Sequence, residues 1–174
     1  IDDALKAHRM LFIPSKFCKQ PNISDKVNAE EARIVTDILR RIYRFYGNKF
    51  NADKTVGVIV PYRNQISMIR KEIEKLGIPQ LEDISIDTVE RYQGSQRDVI
   101  IYSFTIQNRY QLDFLTSNCF EEDNHIIDRK LNVAMTRARK QMIFTGNYDI
   151  LNNDIIFQQL IEYIKTKQGY IEYE

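Results

Sequence analysis

The stretch whose reading decides the fold is Thr55–Gln65, TVGVIVPYRNQ. Thr55–Val60 is β-branched at five of its six positions and carries no charge, the composition of a strand buried on both faces. Pro61 cannot continue a hydrogen-bonded ladder and ends it. From about Asn64 to Leu76 the apolar residues change to helical spacing (Ile66, Ile69, Ile73, Leu76), and Gly77 is a natural helix stop. A doubly buried strand that runs straight into an amphipathic helix is a βα unit of a parallel sheet.

The same alternation extends in both directions. Upstream, Met10–Ile13 reads as a first strand ending at Pro14, and Phe17–Lys26, with Pro21, reads as a loop. Asn28, with Glu31 three residues on, resembles a capping box and opens a helix carrying Val35, Ile38, Leu39, Ile42 and Tyr46. The cap by itself accounts for both Asn28 and Glu31. Gly47–Lys54 breaks that helix. Downstream, Ile84–Val89 and Val99–Phe104 are expected strands around a Gly-containing loop. Leu131–Lys140 is an expected helix, Gln141–Thr145 a strand, and Asp154 to about Lys165 a last helix with Ile155, Ile156, Leu160, Ile161 and Ile164 on its apolar positions. Asn108–Asp128 shows no period and is expected to be a long surface loop. The predicted fold is α/β, a mainly parallel sheet with helices on both faces, and ligands of such sheets collect at the carboxyl ends of the strands.

Composition narrows the classes of function. A chain of 174 residues, 43% hydrophobic and 28% charged, is expected to form one globular domain. Its net charge of +1 means that any nucleic-acid contact must be a local patch. No apolar run approaches the roughly 20 residues of a membrane span, which excludes a helical membrane anchor within this sequence. Two lone cysteines, Cys18 and Cys119, make no disulfide framework and suit a reducing cytoplasm. His8 and His125 stand apart from any cluster with metal-ligand spacing. The sequence starts at Ile1 without a methionine, and we read it as a piece of a larger protein.

Three segments carry chemistry. In Val58–Gln65 (VIVPYRNQ), Tyr62, Arg63 and Gln65 follow a buried strand, where a tyrosine can stack on a base and an arginine can reach phosphate. In Ile86–Ile101 (IDTVERYQGSQRDVII), Asp87 and Thr88 close one strand, Gly94 permits a tight backbone turn, and Asp98 leads into the next strand. In Leu131–Lys140 (LNVAMTRARK), Arg137 and Arg139 lie two residues apart behind Thr136, and a guanidinium forks onto two phosphate oxygens at once. Taken singly, each segment is also consistent with an ordinary element bearing solvated polar residues.

In this order the three segments resemble motifs IV, V and VI of the second RecA-like domain of superfamily 1 helicases, in the 1B branch of nonsense-decay-type and nuclease-helicase-type enzymes. The resemblance covers about Ser24 to Asn147, with Lys26, Asn28, Glu31 and Ala32 similar to an S-x-x-N-x-x-E-A pattern before the first motif. It implies that Tyr62 lies near the adenine of ATP, that Gln65 belongs to the same nucleotide site, and that Arg63 reaches the terminal phosphate. Some members carry that arginine directly after the Gln, where this chain has Ile66. Motif V, T-x-x-x-x-Q-G-x-E-x-D, falls on Thr88, Gln93, Gly94 and Asp98. Its Glu falls on Gln96, a neutral amide where the family has a carboxylate associated with the nucleotide. Thr88 is the implied contact to the nucleic-acid backbone, and Gln93, Gly94 and Gln96 belong to the nucleotide side. Motif VI makes Arg137 the arginine finger, with Arg139 supporting it or pairing with a carboxylate.

No G-x-x-x-x-G-K-[ST] loop and no strand-ending Asp-Glu pair occur in the sequence. The resemblance assigns both, and most of the grip on Mg²⁺, to an upstream RecA-like domain. The implied function is half of an ATP-dependent motor on single-stranded DNA or RNA, with residues 1–174 as its C-terminal RecA-like domain and the isolated chain inactive in ATP hydrolysis. Two readings compete: a degenerate helicase domain kept as a binding module, favoured by Gln96, and a nuclease-helicase. The acidic residues Asp113, Glu121, Glu122 and Asp123 are expected to be a solvated loop and not a metal cluster.

Overall fold

The computed structural model describes residues 1–17, 24–92, 95–116, 119–122 and 125–173, with the backbone alone over 119–122 and 125–129. In chain order the elements are α1 (Asp2–Ala7), β1 (Met10–Ser15), α2 (Ala29–Tyr46), β2 (Val56–Val60), α3 (Arg63–Glu74), α4 (Pro79–Glu82), β3 (Ser85–Thr88), β4 (Arg97–Ser103), α5 (Leu112–Leu115), β5 (Cys119–Glu122), β6 (His125–Asp128), α6 (Arg129–Thr136), β7 (Ala138–Asn147), α7 (Tyr148–Leu151) and α8 (Ile155–Thr166). Short 3₁₀ turns lie at Gly47–Lys49 and Arg109–Gln111.

Five strands form an all-parallel sheet in the order β1-β7-β4-β2-β3. The alternation of side chains across each strand divides the core in two. Leu11, Ile13, Val56, Val58, Val60, Val99, Ile101 and Ile143 face α2 and α3. Phe12, Ile59, Ile100, Tyr102, Met142 and Phe144 face α6, α7 and α8 on the other side. Burial on both faces is why these strands carry continuous apolar runs. The RecA-like α/β class expected from sequence is the fold observed.

Four local readings need correction. Helix α6 stops at Thr136, so Arg137 and Arg139 are not on it. The backbone N–H of Arg97 donates to the Arg137 carbonyl at 2.9 Å, and Ala138 registers against Arg97, which leaves Arg137 in the turn and draws Ala138, Arg139 and Lys140 into the sheet as the start of β7. Asn108–Asp128 is not one long loop: it holds a 3₁₀ turn, α5 and the antiparallel pair β5–β6. On α8, Ile155 is exposed, and Phe157 joins Ile161 and Ile164 as the buried face. The capping box before α2 is only half made. The Asn28 side chain accepts from the Glu31 N–H at 2.9 Å, but the Glu31 carboxylate turns into the core. Among the described residues no helix is long and apolar enough to cross a membrane.

Candidate nucleotide and strand site

The carboxyl edge of the sheet gathers the ends of β1, β2, β3, β4 and β7 together with the amino ends of α2 and α3. Its loops lack ladder partners, and three buried polar side chains take their place. Glu31, fully buried, accepts from Ser15 Oγ (3.0 Å), Asn28 Nδ2 (2.9 Å), Ser103 Oγ (3.0 Å) and the Thr105 N–H (2.9 Å). Burial outweighs these donors and pushes its carboxyl up from 4.5 to about 7. Gln65 pairs reciprocally with the Asn28 backbone: the Asn28 N–H donates to Gln65 Oε1 and Gln65 Nε2 donates to the Asn28 carbonyl, both at 2.9 Å. Both polar ends of Gln65 are thereby engaged within the protein. Gln111 accepts the N–H groups of Gln107 and Asn108 at 2.8 and 3.0 Å and donates to the Asp25 carbonyl at 2.9 Å.

Between these braces lies a cavity of about 380 Å³ that brings Tyr62 and Arg63 together with Lys26, Tyr110 and Phe114. Tyr62 is the residue before the first turn of α3 and is 8% exposed. Its ring stacks on Phe114, with centroids 4.8 Å apart and planes 13° from parallel, and its hydroxyl accepts from Gln111 Nε2 at 3.3 Å. Burial raises the Tyr62 phenol above its ordinary value. The ammonium of Lys130 lies 4.0 Å from the Phe114 ring centre and 3.6 Å from a Glu90 carboxylate oxygen. Arg63 is exposed on a helix start that has no side-chain cap, an arrangement suited to an anion. Thr88 ends β3 beside Val60 of β2 and is buried; its carbonyl accepts from the Tyr92 N–H at 2.9 Å.

A second cluster lies at the amino end of β7. Arg137 Nε donates to the Tyr92 carbonyl at 3.0 Å. Gln96, exposed, donates through Nε2 to the Thr136 carbonyl at 3.1 Å and so adjoins Arg137. Arg139 pairs with Asp98 at 3.0 Å and donates to the Lys54 carbonyl at 3.1 Å. The predicted site residues thus fall into two groups, Tyr62 with Arg63 and Gln96 with Arg137, while Gln65 and Arg139 are bound into the scaffold. Gln93, Gly94, Cys18 and Asp123 lie outside the described residues, as do the side chains of Cys119, Glu121, Glu122 and His125.

The family described as AAA domain matches residues 3–149 of the chain. The chain belongs to this family, as a superfamily 1B helicase-type domain. It is 35% identical over 132 residues to the DNA polymerase alpha-associated DNA helicase A of Saccharomyces cerevisiae, covering 74% of this chain and 17% of that protein. It is 35% identical over 121 residues to the regulator of nonsense transcripts 1 of Dictyostelium discoideum, covering 67% of the chain and 8% of the relative. An ATP-dependent helicase of Methanocaldococcus jannaschii is 29% identical over 139 residues, 80% of the chain and 18% of the relative. The chain therefore spans less than a fifth of the length of these relatives.

In this helicase-type domain several residues that shape the site escaped the sequence reading. Phe114 and Gln111 lie in the segment expected to be a loop, although Leu112 and Leu115 at i, i+3 hint at a buried turn, and Lys130 falls between that segment and the expected helix. Tyr92 and Gly57 form the other omission. A methyl added at Gly57 would lie 1.7 Å from the Tyr92 hydroxyl oxygen, so the ring occupies the space that the glycine leaves open. A glycine inside an otherwise β-branched strand is the signal for such a close approach.

Proposed function

We propose that this domain is the second RecA-like motor domain of an ATP-dependent helicase that translocates on single-stranded DNA or RNA. The nucleotide would be shared with another RecA-like domain, which supplies the phosphate loop and most of the hold on Mg²⁺. The observation that carries the reading is the setting of Arg137. Its backbone carbonyl is bonded to Arg97 and its Nε to Tyr92, while its two terminal nitrogens make no bond among the described residues. A guanidinium held at its root and open at its tip is the form an arginine finger needs.

The donor set fits a nucleoside triphosphate. ATP supplies the phosphoanhydride whose cleavage drives the cycle. Arg137 supplies positive charge where negative charge develops, and Arg63, at an uncapped helix start, supplies a second cation. Tyr62 borders the base. Gln65 acts by positioning, since its amide fixes the start of α3 to the start of α2. Arg139 secures the Arg137 segment through Asp98. Gln93 and Gly94 complete the nucleotide loop by the family resemblance, and Thr88 takes the strand backbone. Approach of the two domains brings Arg137 to the phosphate, and their separation releases it.

A second reading, a binding module without turnover, is supported by Gln96, whose amide is tied to the Thr136 carbonyl where the family resemblance implies a carboxylate associated with the nucleotide. ATPase activity of the full-length protein, with and without a single-stranded oligonucleotide, separates the two. Strand-stimulated turnover that falls about 10³-fold or more in Arg137→Ala, and less than tenfold in Arg139→Ala, supports the motor. Absence of turnover in the wild type supports the binding module. Turnover indifferent to Arg137→Ala removes the finger.

A further inference from the structure

Two adjoining hollows open at the amino edge of the sheet, the end opposite Tyr62 and Thr88. One, of about 300 Å³, is lined by Lys6, Arg9 and Lys140 together with Phe45. The other, of about 310 Å³, is lined by Lys167 and Tyr163, and both share Ala7, His8 and Arg9. Among the described residues, no aspartate or glutamate lines either hollow. The whole chain carries 25 Lys and Arg against 24 Asp and Glu, so a surface with evenly mixed signs would place carboxylates here. Segregation of one sign of charge is the footprint of a partner that carries the other.

Lys6, Arg9 and Lys167 are exposed and make no ion pair among the described residues. Lys140 shares one carboxylate, that of Asp98, with Arg139, which leaves a net positive charge. Helix C-termini favour cations, and that accounts for Lys167 at the end of α8. It does not account for Arg9 or Lys140, which lie on a connection and on a strand. The connection that carries Arg9 is tied to β7. Gln141 donates to the carbonyls of Leu5 and His8 at 3.0 and 2.7 Å, and the Met142 N–H donates to the Arg9 carbonyl at 2.9 Å. Phe45, with Tyr46 at a steep angle beside it, and Tyr163 remain 55% and 52% exposed. The ammonium groups of Lys6 and Lys167 lie 5.8 Å from their respective ring centres. Exposed rings beside cations suit unpaired bases on a phosphate backbone, whereas a duplex keeps its bases stacked inside.

We infer that this amino-edge groove is a further contact for a single-stranded nucleic acid, with the phosphates along Lys6, Arg9, Lys140 and Lys167. The inference rests on the proposed function and extends the strand to a surface outside the three motifs.

The test measures the affinity of the full-length protein for a fluorescein-labelled single-stranded oligonucleotide, as DNA and as RNA, across a salt series. The groove variant combines Lys6→Gln with Arg9→Gln. A control, Lys71→Gln with Lys75→Gln on α3, removes the same charge elsewhere. Each phosphate contact on a single strand contributes about 0.7 to the slope of log affinity against log salt. The groove variant is expected to lose about 1.4 of that slope and to bind roughly 10–30-fold more weakly at about 0.1 M salt, with the control within about twofold of wild type. Lys6→Arg with Arg9→Lys keeps both charges and should bind within about threefold of wild type. Urea unfolding should be unchanged in these variants; if the groove pair does unfold, Lys167→Gln takes its place, with an expected loss of about 0.7 in slope. A groove variant that binds like the control overturns this inference alone. So does one whose only loss is affinity for a labelled polyglutamate peptide, which makes the groove a seat for acidic protein. A wild type that binds neither oligonucleotide overturns the inference together with the proposed function.

Discussion

Replacing Gly57 by alanine should damage a site that the residue never touches. Gly57 is the second residue of β2, and the Tyr92 ring lies across it. An alanine methyl would be 1.7 Å from Tyr92 Oη and 2.8 Å from Cζ, well inside the 3.4 Å at which ordinary contact begins. The ring must therefore retreat by about 2 Å, yet it is 4% exposed and the Arg97 guanidinium lies over it at 5.7 Å. Arg97 is itself tethered to Ser85 and to the Gln96 carbonyl, so it does not yield freely. Overpacking of this kind costs about 1–3 kcal/mol.

A kinetic consequence is expected beside the loss of stability, because the Tyr92 carbonyl is what holds Arg137 Nε. Displacement of a catalytic group by about 1 Å can cost roughly 10²-fold. The expected result is a strand-stimulated kcat about 10–100-fold lower in full-length Gly57→Ala, with urea unfolding of the chain shifted by about 1–3 kcal/mol. Truncating the ring should relieve the strain. In a Tyr92→Leu background, Gly57→Ala should cost about 1 kcal/mol less than in the wild type, a coupling that a double-mutant cycle resolves. If Gly57→Ala alone changes stability by less than about 0.5 kcal/mol and leaves kcat intact, Tyr92 has room that this packing denies it and the link to Arg137 fails.

Two further outcomes are expected. Gln65→Ala strips partners from a buried N–H and a buried carbonyl of Asn28 and should cost about 2–4 kcal/mol in urea unfolding; unchanged stability with a raised KM for ATP would instead place Gln65 on the ligand. Glu31 has a folded pKa of about 7 against an ordinary 4.5, so its neutral form is the one the fold favours. Its contribution to stability should be full below pH 4.5, fall by up to about 1.4 kcal/mol per pH unit towards pH 7, then level off. Asp37 does not mask this. Although partly buried, it is held below its ordinary 3.8 by Arg40 and Arg41 and titrates outside the window. An NMR titration placing the Glu31 midpoint near 4.5, or an equal pH slope in Glu31→Ala, would contradict the assignment.

What could be read from the sequence was whatever each segment encodes by its own period. The strand TVGVIV and helices α2 and α3 show their burial in residues at most a few positions apart, and the structure repeats them within one or two residues. The end of α6 could not be read this way. LNVAMTRARK keeps helical spacing through Ala138, but the competing partner is Arg97, forty residues upstream, whose N–H takes the Arg137 carbonyl. Sheet pairing there overrides local propensity. The motif residues were visible as residue types, but their grouping was not. Gln96 meets Thr136 across forty positions, and Gln65 meets Asn28 across thirty-seven. The resemblance assigns Gln65 to the nucleotide site, and the structure shows its amide satisfying backbone groups of Asn28 that no ladder reaches.

The two ends of the sheet are built to different degrees of rigidity, and that difference bears on how the domain would work. At the carboxyl edge Glu31, Gln65 and Gln111 together satisfy backbone groups of Thr105, Asn28, Gln107, Asn108 and Asp25. Thr105 is held at φ +71°, a conformation unfavourable for a threonine, which the bond to Glu31 helps to maintain. Loops fixed in this way lose little further entropy when a ligand arrives, so the cavity beside Tyr62 and Arg63 is preorganised for binding. Arg137 is different. Its carbonyl is bonded to Arg97 at the start of β4, but among the described residues its side chain is held through Nε alone, on a loop carbonyl whose position depends on the packing of Tyr92 against Gly57. Under the proposed function, approach of a second domain would therefore require a side-chain rotation of Arg137 and not a rearrangement of the fold.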